Sequence, residues 1–132
     1  MARYDKYDPF SGGFRAPLNA DWAVADYGVP IGVGLNATGR VVKGAGATGI
    51  LGVLVVDGRV EGGVVKSQPK KAGDIVDVMT DGEIVDVASL NAGTAYVANT
   101  ATGALATATG TYVGFTVEAS RLVVRAQRVA VA

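Results

Sequence analysis

Five carboxylates, those of Asp74, Asp77, Asp81, Glu83 and Asp86, fall close together in a chain that has neither histidine nor cysteine. Clustered oxygens suit a hard cation, and facing carboxylates suit acid–base work. The spacing does not follow an EF-hand loop, however, and along a strand Asp74 and Asp77 point to opposite faces. Asp77 with Asp86 is then the one pair placed to share a cation, with arginine or solvent as the ordinary partners of such acids. Without histidine the commonest general base and metal ligand is missing, and without cysteine there is no thiolate and no disulfide. The remaining nucleophiles are Ser11, Ser67, Ser89, Ser120 and scattered threonines. Lys66 and Ser67 are neighbours, which in a strand face opposite ways and form no local dyad. Gly44-Ala45-Gly46-Ala47-Thr48-Gly49 has the spacing of a dinucleotide fingerprint, yet the β-branched run Ile50–Val56 follows where a helix should open. The sequence therefore points away from an enzyme and from any metal or cofactor.

The elements around these residues read as strands. Glycine supplies 19 of 132 residues, and from Val29 onward β-branched runs alternate with glycine-centred breaks. The runs are Ile31–Leu35, Arg40–Lys43, Ile50–Val56, Arg59–Lys66, Ile75–Thr80, Glu83–Ala88, Thr94–Ala98, Tyr112–Glu118 and Leu122–Val129. Short strands at this spacing predict an all-β domain, a small barrel or sandwich, over residues 29–132. Asp57-Gly58 and Asp81-Gly82 each lie between apolar runs and carry the signal of a two-residue hairpin turn. Ala37-Thr38-Gly39 recurs as Ala101-Thr102-Gly103, a faint internal duplication.

If Asp81 and Gly82 occupy a turn, Asp77 faces Asp86, and Val76, Val78, Val85 and Val87 line a core face. The other face then carries Ile75, Met79 and Ile84 around two like charges, which need a basic partner. The last strand offers one, with Arg121, Val123 and Arg125 on one face and Leu122, Val124 and Ala126 on the other. The exposed apolar groups beside the acids mark Ile75, Asp77, Met79, Ile84, Asp86, Arg121 and Arg125 as an expected oligomer interface.

Residues 1–28 differ from the rest. Six of the nine aromatic residues, Tyr4, Tyr7, Phe10, Phe14, Trp22 and Tyr27, lie there among Pro9, Gly12, Gly13 and Pro17, with no helical or strand period. The expectation is an extended arm whose rings pack on the body, on a sister subunit or on another protein. The 12 basic and 12 acidic side chains cancel, so no overall field draws nucleic acid or an anionic membrane. The first ten residues lack the apolar stretch of a signal peptide, which predicts synthesis in a cytoplasm.

The β-body resembles the small capsid cement, or head decoration, proteins of tailed phages. The likeness rests on Lys71-Ala-Gly73-Asp74-Ile75-Val76, Asp81-Gly82-Glu83-Ile84-Val85, Ala92-Gly93-Thr94-Ala95-Tyr96-Val97, the Gly103–Gly110 segment, Val113-Gly114 and the closing Leu122-Val123-Val124-Arg125. It implies a compact β-domain, often trimeric, that sits on the outer capsid surface of a virion and clamps major capsid protein subunits without catalysis. The arm rings Tyr4, Tyr7, Phe10, Phe14 and Trp22 would then be the capsid contacts. A freestanding oligomeric β-barrel that binds a small ligand or sugar is the alternative.

Overall fold

The computed structural model describes residues 12–56, 60–61, 64–65 and 70–126. The strands are β1 (Gly13–Pro17), β2 (Ile31–Leu35), β3 (Val41–Gly46), β4 (Gly52–Leu54), β5 (Val60–Glu61), β6 (Val64–Val65), β7 (Ile75–Met79), β8 (Asp81–Ile84), β9 (Ala95–Ala98), β10 (Leu105–Ala106), β11 (Thr111–Thr116) and β12 (Leu122–Arg125), with one 3-10 turn at Val24–Asp26. Two five-stranded sheets result, in the orders β1-β7-β4-β2-β3 and β10-β9-β11-β12-β8, beside the small pair β5-β6. The all-β expectation holds, in the sandwich-like form. The first sheet curls until its two edges touch at the single bridge Leu18–Val41, without closing a barrel.

Two cores form because β-branched residues alternate across the sheets. Inside the curl of the first sheet lie Ala16, Leu18, Trp22, Ile31, Val33, Val41, Leu54, Val56, Val76 and Val78. Between the sheets Ile50 and Val53 meet Val87, Tyr96, Ala98, Val113, Leu122 and Val124. Backbones of the two halves meet directly where no side chain intervenes: Gly32 N–H donates to the Gly103 carbonyl and Ala45 N–H to the Thr100 carbonyl, each at 2.8 Å. A Cβ on Gly103 would sit 2.1 Å from the Gly32 carbonyl oxygen, and the Gly103 φ of 77° is itself a glycine conformation.

Two expectations need correction. Residues 13–28 are no free arm, since β1 pairs antiparallel with β7 from Gly13↔Met79 to Pro17↔Ile75. Leu18 N–H then donates to the Asp74 carbonyl, Trp22 N–H to the Lys70 carbonyl, and Lys70 N–H to the Tyr27 hydroxyl oxygen. Trp22 is only 6% exposed and Phe14 packs half-buried on the same core, so neither ring is presented to a capsid. Large rings beside a glycine-rich sheet with little side-chain volume are taken up by that sheet's own interior.

Asp81-Gly82 is likewise no hairpin turn. The chain passes from β7 in the first sheet to β8 in the second through Thr80 alone, and β8 pairs with β12. Gly82 lies within β8 without a positive φ, and a Cβ there would meet only the movable end of the Met79 side chain, 2.9 Å from its sulfur. Asp77 therefore does not face Asp86, and Val85 is 64% exposed rather than part of the core. The Asp57-Gly58 turn lies outside the described residues.

Candidate interaction surface

The expected interface residues divide between the two sheets. Asp77 and Arg15 stand opposite each other across β1 and β7, with the Arg15 Nε 2.5 Å from the Asp77 carboxylate. Ile75 is exposed on the same face of β7. Met79 and Ile84 instead turn toward the inter-sheet core as half-buried members. Asp86 sits exposed in a turn with a φ of 58° and faces no second carboxylate strand.

Arg125 of β12 and Arg121 just before it do find acids within the chain, though not the expected ones. Arg121 reaches Glu83 and Glu118, each at 3.0 Å, and Arg125 reaches Asp81 at 2.6 Å. Three of the five clustered acids are thus arginine partners, and a fourth, Asp74, accepts the Lys71 N–H at 2.8 Å. Among the described residues no three acids converge as a metal site. No helix of the described residues is long and apolar enough to cross a membrane.

The outer face of the second sheet carries a feature that the sequence pattern hides. Strict alternation would send Tyr112 and Phe115 to opposite sides of β11. A register shift between Tyr112 and Gly114 removes that difference, so Tyr112 stands beside Val97 and Phe115 beside Ala95. Tyr96 and Ala98 are buried inward, which places Ala95, Val97, Tyr112 and Phe115 together on the outside. Tyr112 is 42% and Phe115 37% exposed, and Val117 just beyond the strand is also exposed. Val123 lies between Phe115 and Glu83 across the ladder and is almost fully covered. Arg121 and Arg125, two positions to either side of it, alternate onto the same face.

The result is an uncharged centre with two rings, bordered on one side by the Arg121–Glu83 and Arg125–Asp81 pairs. An apolar centre containing tyrosine and phenylalanine with an arginine-bearing rim is the composition of protein contact surfaces. Antiparallel sheets normally turn a polar face to water, so this face stands out.

A cleft of about 660 Å³ opens elsewhere, between β2–β3 and the loops around β10. Val29, Ile31, Val87, Leu90 and Leu105 line it, with Lys43 and Asp26 ion-paired at its side. Among the described residues no aromatic ring lines the cleft, and stacking on an aromatic face is what a sugar site would use. The Lys43 ammonium is also committed to the Trp22 ring, 4.9 Å from its centroid. The glycine fingerprint forms the end of β3 and the following turn, with positive φ at Gly44, Gly46 and Gly49 and no helix behind it. Asn36 is a turn residue, its Oδ1 accepting the Thr38 and Arg40 N–H groups. Asn99 does the same for Ala101 in the second copy of the Ala-Thr-Gly turn. Tyr4, Tyr7 and Phe10 lie outside the described residues.

Comparison with protein-family models finds no match, and comparison with curated proteins finds none either. Among solved structures, a chain from Mycobacterium phage Patience shares the fold with a TM-score of 0.76. The similarity covers 93% of this chain and 95% of that one at 21% sequence identity. The shared fold thus extends over nearly the whole of both chains.

Proposed function

We propose that this protein is a structural component of a tailed-phage head, a decoration protein that binds the outer capsid surface and clamps adjoining major capsid subunits. The end-to-end likeness of fold to a chain of a phage is the observation that carries this reading. The sequence resemblance to head decoration proteins, reached from other residues, points the same way. The action is passive: no covalent step is involved, and the protein works as a homotrimer through surface contact repeated over many copies.

The contact surface assigned to this role is the face of Tyr112, Phe115 and Val117, with Tyr4, Tyr7 and Phe10 as further rings. Phe14 and Trp22 drop out because their own core holds them. The test is shell resistance. Expanded empty capsids are heated or exposed to denaturant with and without saturating protein, and disassembly is followed by light scattering. The reading expects decorated shells to survive to higher temperature; equal survival with no bound protein rejects it. Truncation in such work must stop at residue 11, because removing 22 residues would delete β1 and Leu18 and unfold the curled sheet.

A further inference from the structure

The cleft of about 660 Å³ opens beside the junction of the two halves. Gly32 N–H and the Gly103 carbonyl make that junction, and residues next to it on both segments, Pro30 and Ile31 on one and Ala104 and Leu105 on the other, line the cleft. Ile31 and Val87 are only 6% and 7% exposed and form its floor, whereas Val29 is 45% exposed at its mouth. The walls are fastened in place: Val87 N–H donates to the Ser120 carbonyl at 2.9 Å, Asn91 N–H to the Tyr96 hydroxyl at 2.8 Å and Gly28 N–H to the Val56 carbonyl at 2.8 Å. A site held this way stands ready before its ligand arrives, which lowers the ordering cost of binding.

We propose that this cleft binds an extended peptide segment of a partner protein, added as a strand to the β10 edge and carrying uncharged aliphatic side chains at alternate positions. Two observations choose this occupant. The first is the lining, which is aliphatic; its charges among the described residues, Lys43 and Asp26, are already paired with each other, so a charged side chain finds no free partner there. The second is the edge. β10 is the outermost strand of its sheet, paired with β9 through Leu105↔Ala98 and Ala106↔Val97, and among the described residues no strand lies on its other side. Such an edge offers its outward N–H and C=O groups to a further strand.

Side chains i and i+2 of a strand share a face and stand roughly 7 Å apart. Two aliphatic groups at that spacing enter the cleft against Ile31, Val87 and Leu90, while the peptide backbone meets Leu105 and Ala106. Main-chain pairing supplies affinity and the cleft supplies the choice of side chain. A free hydrocarbon uses the lining but leaves the edge unpaired, which is why the occupant is a peptide. The assignment concerns a surface separate from the Tyr112–Phe115 face and does not depend on the capsid reading.

The test titrates the full nitrogen-15 chain with the blocked peptide acetyl-Lys-Thr-Val-Thr-Leu-Thr-Lys-amide, its end lysines serving solubility, and follows amide shifts by NMR. Saturable shifts are expected at Ile31, Leu90, Leu105 and Ala106, with none at Thr38 in the β2–β3 turn. A peptide with serine in place of its valine and leucine is expected to leave the spectrum unchanged. Two N-methylated peptides, one blocked on the threonines and one on the valine and leucine, separate strand pairing from hydrocarbon capture: one of them is expected to bind about tenfold more weakly or worse, because only every second N–H faces β10. Val29→Glu, at an exposed position that leaves the core intact, should weaken the parent peptide by about tenfold as well. No saturable shift up to the solubility of the peptide, shifts centred on Tyr112 and Phe115, equal binding of the serine peptide, equal binding of both N-methylated peptides, or undiminished binding to Val29→Glu would each overturn the proposal.

Discussion

The guanidinium of Arg125 lies 2.6 Å from the carboxylate of Asp81 across the β12–β8 ladder, and the Asp81 N–H donates to the Gly12 carbonyl. Both side chains are about half exposed or more, so water and salt screen the pair. A double-mutant cycle with Arg125→Ala and Asp81→Ala is expected to give a coupling below about 1 kcal/mol, shrinking in high salt. Denaturant unfolding of the four proteins measures it. A coupling above about 2 kcal/mol would show that the pair is buried beneath something else.

Trp22 and Phe115 should behave in opposite ways. Trp22→Ala empties a site inside the curled sheet and is expected to cost about 3–5 kcal/mol. Phe115→Ala trims an outward ring and should cost under about 1 kcal/mol. If thermal unfolding instead shows Trp22→Ala to be harmless, the assignment of that ring to its own core is wrong.

Glycine substitutions separate strain from crowding. Gly39 has a φ of 82° and open space where a methyl group would stand, so Gly39→Ala should lose about 1 kcal/mol from backbone conformation alone. Gly103→Ala has a similar φ and drives a Cβ into the Gly32 carbonyl, so it should lose about 3 kcal/mol or more. Equal losses in a denaturant titration would argue against close contact of the two sheets at this point.

Asp21 provides a pH dependence. The Ala72 N–H, donated to its carboxylate at 2.9 Å, holds its pKa below the usual value; desolvation opposes this, and the nearby Lys71 ammonium adds to the lowering. A lowered folded pKa stabilises the protein above the unfolded pKa of 3.8, and the contribution disappears as pH falls through the folded pKa. Asp21→Asn should therefore differ from the parent well above pH 3.8 and converge with it as pH falls through the lowered folded pKa. A difference that stays constant across this range in pH-dependent unfolding would place the effect elsewhere.

The strand Ile31–Leu35 is legible in the sequence to the residue, because a β-branched run between a proline and a turn asparagine has one reading. β1 is not, since Gly-Phe-Arg-Ala-Pro has no β-branched residue and carries two strand breakers. It becomes a strand only because β7 offers it an edge. Asp81-Gly82 has the right residues for a turn, but both lie in β8, which pairs with β12, and Gly82 has no positive φ. β10 is lost in the Ala-Thr-Gly stretch, where Leu105 is the one residue with much to bury. Alternation along β12 finds Arg121 and Arg125 and their need for acids, while the identity of those acids depends on a hairpin that does not form. The Tyr112–Phe115 face is hidden by one extra residue in β11, since a bulge reverses the side on which all later residues lie.

The capsid reading is tested most directly by cosedimentation of the purified protein with expanded empty shells, comparing the parent chain with Phe115→Glu after circular dichroism has shown both to be folded. The account predicts saturable binding of the parent and loss of most binding for Phe115→Glu. A parent chain that stays in the supernatant at every concentration, or a variant that binds as tightly as the parent, would contradict it.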